Sequence, residues 1–321
     1  MPHSVAIIGL GIMGRRMLAA MGRHPDFEVV TLWDPAEAAL ARVRSEVPRV
    51  EVATSASAAM EAAQLVYLAC PPLPRRELAL EASAMNRALF LEKPLGVDTA
   101  ASASLVEALG SANTQAVVNF VLANARAFNT LEAAIARDVT GPVVGIDIVV
   151  TYPQWPRAWQ MDAHWLKGRA EGGFTREVIS HFIFAAQRLL GELQVVWARP
   201  SYPSDDDGAC ETHLLARLEN PAGVPVSVLG TTGGAQPDRQ ELTVKGTRRS
   251  YRLAEFYQLW VSEGGAWEEA LIPPADPRAD TLQRQLDQVA LWLQGKPQRL
   301  ATAAEALGVQ RCIEGMLTTP P

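Results

Sequence analysis

Val5-Ala6-Ile7-Ile8-Gly9-Leu10-Gly11-Ile12-Met13-Gly14 decides the fold of this chain. Its four leading apolar residues read as a buried strand. The glycines behind them fit the spacing GxGxxG and precede a stretch of helical periodicity over residues 13–22. Strand, glycine turn and helix in that order open a βαβ unit of the kind that binds a dinucleotide. Gly9 permits the tight turn, Gly11 lets the backbone approach a pyrophosphate, and Gly14 lets the helix lie close to the strand. Ile12 and Met13 complete the turn, and the unpaired N–H groups of the helix start attract phosphate.

Twenty residues beyond Gly14, in Thr31-Leu32-Trp33-Asp34-Pro35, stands an acid at the end of the second apolar run. A carboxylate there accepts hydrogen bonds from the adenosine ribose and repels a 2′-phosphate, so the expected cofactor is NAD(H) rather than NADP(H). The plainer alternative is a sharp turn followed by an Asp that only caps the next helix. It carries little weight when strand, helix and acid all stand at the required spacing.

Outward from this motif, strands are predicted over 5–9, 29–33, 65–69, 88–91 and 116–120, alternating with helices over 13–22, 36–46, 75–85, 99–109 and 127–138. Spacings this long exclude hairpins and require crossovers, so the sheet is parallel. Cys70-Pro71-Pro72 follows the 65–69 strand; the proline pair stops it, and the loop is expected on the nicotinamide side of the cofactor.

After Thr140-Gly141-Pro142 the texture changes. Residues 143–152 read as one long strand, and strand-like runs with Gly or Pro breaks fill 194–269, as in a mainly antiparallel sheet. Helices are predicted over 176–190, 281–293 and 303–316. The fold class is therefore α/β: a doubly wound Rossmann domain over 1–122, then an α+β domain over 123–321 for substrate binding and oligomerisation. A C-terminal helix could pack back on the first domain.

A chain of 321 residues, 48% hydrophobic, can bury two cores. A net charge of −6 without a run of Lys and Arg argues against nucleic acid as a partner. Cys70, Cys210 and Cys312 are far apart, so no disulfide framework and no metal site is expected. The start lacks a signal-peptide pattern and no apolar stretch approaches membrane length, so a cytoplasmic protein without membrane contact is expected.

At Phe90-Leu91-Glu92-Lys93-Pro94-Leu95-Gly96 the sequence resembles the glucose-fructose oxidoreductase and inositol dehydrogenase family (Gfo/Idh/MocA), whose Glu-Lys-Pro motif follows the fifth Rossmann strand. The resemblance spans nearly the whole chain. Supporting matches are the glycine motif, Asp34, the Ala69-Cys70-Pro71-Pro72 loop, and Gly172-Gly173 leading to Glu177, Ser180, His181 and Leu189-Leu190-Gly191.

From the residues alone, Lys93 sits at a strand's carboxyl end, where ligands bind in open α/β sheets, and Glu92 is placed to orient it. The resemblance gives Lys93 a catalytic and cofactor-contacting part and counts Glu92 among the cofactor residues. Glu177 and His181 stand four apart, so on an α-helix the carboxylate would hold the imidazole in one tautomer. The resemblance makes His181 the second proton-handling residue. Glu177 stands where Asp is usual, Ile179 where Gly is common and Phe184 where a second Asp is often found.

Trp159, Trp165 and Arg176, with His181, are the substrate-binding candidates, since aromatic faces and guanidinium forks suit sugar rings, cyclic polyols or carboxylates. The expected activity is NAD(H)-dependent hydride transfer at a hydroxyl or carbonyl carbon of a small polar substrate. Two rivals are an NAD-dependent glycosidase without net redox and a non-catalytic dinucleotide sensor. The resemblance further implies a homodimer or homotetramer, and apolar alternation over 224–229 and 242–244 is compatible with a subunit contact.

Overall fold

The computed structural model describes residues 1–318, which divide into two compact units. The first comprises Met1–Phe120 and Leu282–Leu307; the second comprises Val121–Thr281 and the rest of the C-terminal stretch.

The first unit runs β1 (His3–Ile8), α1 (Ile12–Met21), β2 (Phe27–Trp33), α2 (Glu37–Glu46), β3 (Glu51–Val52), α3 (Ala56–Glu61), β4 (Leu65–Leu68), α4 (Pro72–Ala84), β5 (Ala88–Leu91), α5 (Thr99–Ser111) and β6 (Ala116–Val118). These six strands form a parallel sheet in the order β6-β5-β4-β1-β2-β3. The direction of winding reverses between β1 and β4, the place where such sheets open a crevice beyond their strand ends. β4 and β5 are buried throughout, as expected of strands covered on both faces. On one face Val5, Ile7, Leu65, Tyr67, Phe90 and Val117 pack with Met17 and Met21 of α1 and Leu40 and Val43 of α2. Each fully buried side chain of this size stabilises the fold by about 1.5–3 kcal/mol.

The second unit begins with a 3-10 turn (Val121–Asn124), α6 (Arg126–Ala136) and β7 (Val143–Tyr152), followed by further short 3-10 turns, a π-helical turn at Thr175–Ile179 and α7 (Ser180–Leu190). Then come β8 (Gln194–Ser201), β9 (His213–Glu219), β10 (Pro225–Thr232), β11 (Arg239–Gly246), β12 (Ser250–Ala254), β13 (Gln258–Ser262) and β14 (Glu268–Leu271). They form one sheet, β14-β13-β12-β11-β7-β10-β9-β8, antiparallel except at β10–β7. The mainly antiparallel reading therefore stands. Leu242 and Val244, in the stretch linked above to a subunit contact, are fully buried in the core.

The helix α8 (Pro277–Leu293) begins in the second unit and ends in the first, where Leu286, Val289 and Ala290 join the core cluster. β15 (Ala301–Thr302) then pairs antiparallel with β6 and closes that sheet edge, and α9 (Ala303–Thr318) follows. Among the described residues no helix is long and apolar enough to cross a membrane.

Candidate active site

The loop after β1 is built around contacts that only glycine allows. Gly9 has φ +96°, and a Cβ on it would lie 2.8 Å from the backbone of Ala69 and Cys70. A Cβ on Gly14 would lie 1.8 Å from the Gly9 carbonyl oxygen, so α1 rests directly on the turn. Gly11 differs: a Cβ there would meet nothing within 4 Å. Gly11 is also the N-cap of α1 and gives it no side-chain cap, and the first turn holds no acid. Two closed positions thus flank an open one at a helix end whose N–H groups favour an anion. The residues present fit a dinucleotide pyrophosphate, with Ile12 and Met13 supplying the first helical residues.

Asp34 is anchored beside this loop. Its Oδ2 accepts from the Leu10 N–H at 2.7 Å and its Oδ1 from the Ala36 N–H at 2.8 Å. The acid therefore closes a turn just ahead of α2 without capping the helix itself, and it also holds the glycine loop. Each carboxylate oxygen has a second acceptor site, so capacity for ribose hydroxyls remains.

The loops after β4 and β5 share one buried clamp, Arg75 on α4. Its Nη2 donates to the Cys70 carbonyl at 2.5 Å and its Nη1 to the Pro94 carbonyl. Pro71 is the N-cap of α4 and Pro72 its first residue, a position that needs no N–H donor. The prolines thus start a helix three residues before the predicted one. Burial pushes the Cys70 thiol up, which disfavours a reactive thiolate.

Lys93 is the second residue beyond β5, is 9% exposed, and precedes a cis bond to Pro94. Glu92 beside it is buried inside a hydrogen-bonded chain. Its Oε1 accepts from the Tyr67 hydroxyl and from Asn119 Nδ2 at 2.6 Å, and Asn119 Oδ1 accepts from Gln285 Nε2 at 3.1 Å. Burial raises the Glu92 pKa above the usual carboxylate value, opposed by these bonds and by the charges of Lys93 and Arg75.

In the second unit the turn that leads into α7 is not α-helical. The Ser180 N–H reaches back to the Thr175 carbonyl, the widened turn of a π-bulge, so the α-register assumed for Glu177 and His181 does not hold there. Glu177 Oε1 accepts from Gln160 Nε2 at 3.3 Å, and Gln160 in turn accepts from Arg157 Nε at 2.9 Å. His181 is 7% exposed and stands at right angles to the Phe256 ring, 5.3 Å between centroids. Near Glu177 the Tyr152 hydroxyl is buried and has no hydrogen-bond partner among the described residues; burial pushes its pKa up.

Arg176 is placed differently from its expected role. Its Nε and Nη2 grip both oxygens of Glu314 at 2.7 Å, and its Nη1 donates to the Arg169 and Gly172 carbonyls. With four N–H groups so directed and the side chain buried, it fixes the segment entering α7 rather than offering a fork to substrate. Gly173, at φ +100°, leaves room for the Glu211 carboxylate, which accepts from the Thr175 N–H at 2.8 Å. Trp159 is 42% exposed and lies under the Arg157 guanidinium at 4.7 Å, while Trp165 is half-buried.

Two family models match in tandem: an oxidoreductase family with an NAD-binding Rossmann fold over residues 3–120, and a GFO/IDH/MocA C-terminal domain over 128–252. The chain belongs to the GFO/IDH/MocA family. Its first unit is accordingly an NAD(P)-binding Rossmann fold of an oxidoreductase. Among solved structures, the 3-ketoreductase from Actinomadura kijaniata in complex with NADP and TDP-benzene superposes with a TM-score of 0.83 at 18% identity, covering 99% of this chain and 98% of that one. An oxidoreductase from Agrobacterium radiobacter in complex with NAD+, L-tartaric acid and magnesium gives 0.83 at 15% identity, covering 98% and 95%. The myo-inositol 2-dehydrogenase from Lactobacillus plantarum gives 0.81 at 18%, covering 98% and 96%. At such identities the likeness to these structures shows the fold. No curated protein matches the chain in sequence.

Several residues of this GFO/IDH/MocA chain escaped the sequence reading: Tyr67, Arg75, Asn119, Gln285, Glu211, Glu314 and Phe256. A hydroxyl inside the otherwise apolar run Leu65-Val66-Tyr67-Leu68 was the available signal for the first, since a buried Tyr seeks a partner. The others take at least one partner distant in sequence, and nothing local marks that pairing.

Proposed function

We propose that the protein is an NAD(H)-dependent dehydrogenase or reductase acting at a CH–OH or carbonyl carbon of a small polar substrate, such as a sugar, a cyclic polyol or a derivative. The observation that carries this reading is the open position at Gly11 between the closed positions at Gly9 and Gly14, beside the anchored Asp34 carboxylate. That carboxylate would repel a 2′-phosphate, which favours NAD(H) over NADP(H). Cys70, Pro71, Pro72 and Glu92 shape the rest of the cofactor wall. The activities named for the myo-inositol 2-dehydrogenase and the 3-ketoreductase support the substrate class.

A bound nicotinamide supplies the hydride chemistry. Lys93, just beyond the end of β5, gives a proton to the reacting oxygen or takes one from it according to the direction of hydride transfer, and His181 is the second proton carrier. Glu177 and Gln160 orient polar groups at the start of α7, and Trp159 and Trp165 offer aromatic faces to a ring substrate. Positioned acid–base help of this kind contributes about 10²- to 10⁴-fold.

The deciding experiment titrates NADH and NADPH by fluorescence and screens polyols, aldoses and hydroxy acids at 340 nm. Gly11→Ala should weaken NADH binding at least tenfold while leaving apo stability unchanged, because its Cβ meets no protein atom. Lys93→Ala should lower kcat about 100-fold or more with NADH affinity nearly intact. Preference for NADPH would overturn the role of Asp34, and undiminished turnover in Lys93→Ala would overturn that of Lys93.

The reading extends to a cytoplasmic homodimer or homotetramer. Leu215, Leu229 and Val149 lie side by side across β9, β10 and β7, with the two leucines 49% and 39% exposed on the sheet's outer face. Light scattering that shows monomer alone would remove the oligomer.

A further inference from the structure

The hairpin between β12 and β13 turns through Glu255 and Phe256, at φ +50° and +66°. Two successive left-handed residues are what a glycine or an asparagine–glycine pair supplies without strain, and a bulky aromatic there is a genuine outlier. The turn is held from both sides: the Tyr257 N–H donates to the Ala254 carbonyl at 3.1 Å and the Glu255 N–H to the Gln240 carbonyl at 2.9 Å. These bonds fix the backbone in a conformation that neither side chain favours. Outliers of this kind gather at functional sites, where surrounding contacts over-determine them.

What Phe256 touches is specific. Its ring meets His181 at 5.3 Å and 85°, and Phe182 at 5.2 Å and 38°. It thus braces two consecutive residues at the start of α7, immediately after the π-bulge that interrupts the regular register. Glu255, in the same turn, is close enough to bear on Tyr152, whose buried hydroxyl lacks a partner among the described residues. We propose that the strained Glu255–Phe256 turn is a positioning element for His181, with Phe256 fixing the plane of the imidazole. A half-buried ring outside the main core is a poor filler and a good brace, because an edge-to-face contact prefers one relative orientation.

This rests on the dehydrogenase reading only through its turnover readout. The test uses the full chain as Phe256→Gly, which relaxes the backbone, and Phe256→Tyr, which keeps the ring. Imidazole ¹H–¹⁵N spectra report on five histidines, and His181→Gln assigns the relevant signal. Loss of the neighbouring ring shifts that signal in any case, so the informative quantity is its multiplicity and width. Phe256→Gly should broaden or split the His181 signal and lower kcat about tenfold with KM and NADH affinity held, while the thermal midpoint stays within a few degrees. Phe256→Tyr should restore one sharp signal and the turnover. A single sharp His181 signal in Phe256→Gly overturns the proposal, whatever happens to turnover. A signal that splits in a protein with no turnover on any substrate upholds the brace and removes the dehydrogenase reading instead.

Discussion

The surroundings of Lys93 and those of His181 achieve the same end by opposite means. Behind Lys93 lies a polar frame, with Glu92, Tyr67, Asn119 and Gln285 joined in one buried chain and Arg75 clamping the two adjoining loops. Around His181 the frame is aromatic, made by Phe256 and Phe182. A buried polar frame is unforgiving of each partner removed, since every newly orphaned group keeps its full desolvation cost. An aromatic frame yields by degrees, because dispersion contacts are many and individually small. Losses on the polar side should accordingly be abrupt, and those on the aromatic side gradual.

The sharpest way to break this contrast is Arg75→Ala. It strands the buried Pro94 carbonyl, leaves the part-buried Cys70 carbonyl without its donor and removes two charge-assisted hydrogen bonds, so stability should fall by about 2–4 kcal/mol in urea unfolding. NADH binding should fall with it, since both loops lose their common anchor. A loss below about 1 kcal/mol would mean that the frame is not cooperative.

Glu92→Gln sharpens the contrast by separating charge from shape. The amide oxygen can still accept from Tyr67 and Asn119, but no charge is buried. Burial raises the folded-state pKa of Glu92, so its contribution favours folding fully below its unfolded value and is lost as pH rises through the folded one. The variant should therefore gain stability relative to the native protein as pH rises from 4 to 7, while turnover drops. Parallel stability–pH curves for the two proteins would contradict the burial assignment.

The smallest effect belongs to the aromatic side. Phe182→Leu keeps an apolar filler at a fully buried site and should cost about 1 kcal/mol, with turnover reduced only a few-fold. A collapse comparable to that of Arg75→Ala would erase the distinction between the two frames.

What the sequence disclosed follows the same division. The glycine cradle, Asp34 and the strand–helix alternation were legible because each depends on neighbours a few residues away. β3 and α3 passed unnoticed, two and six residues long and too short for a period to show. An arginine on α4 ordinarily reads as a solvated charge, and nothing local marks Arg75 as one of the most buried side chains. Arg176 misled in the opposite sense: a guanidinium near an aromatic cluster suggested a substrate fork, whereas Glu314, 138 residues away, holds it. The π-bulge at Thr175–Ile179 was likewise invisible, since helical periodicity counts 3.6 residues per turn and has no term for one inserted residue.

The returning segment Leu282–Leu307 also sets a timetable for biosynthesis. A nascent chain that has emerged through Phe120 carries all six parallel strands of the first unit but not Leu286, Val289 and Ala290, which belong to its core, nor Gln285, which completes the Glu92 chain, nor β15, which covers β6. At about 5–20 residues per second, the intervening stretch occupies the ribosome for roughly 10–30 s. Through that interval the dinucleotide-binding sheet has an open edge at β6 and lacks part of its apolar cover, so the first unit is completed only after the strands of the second have been made.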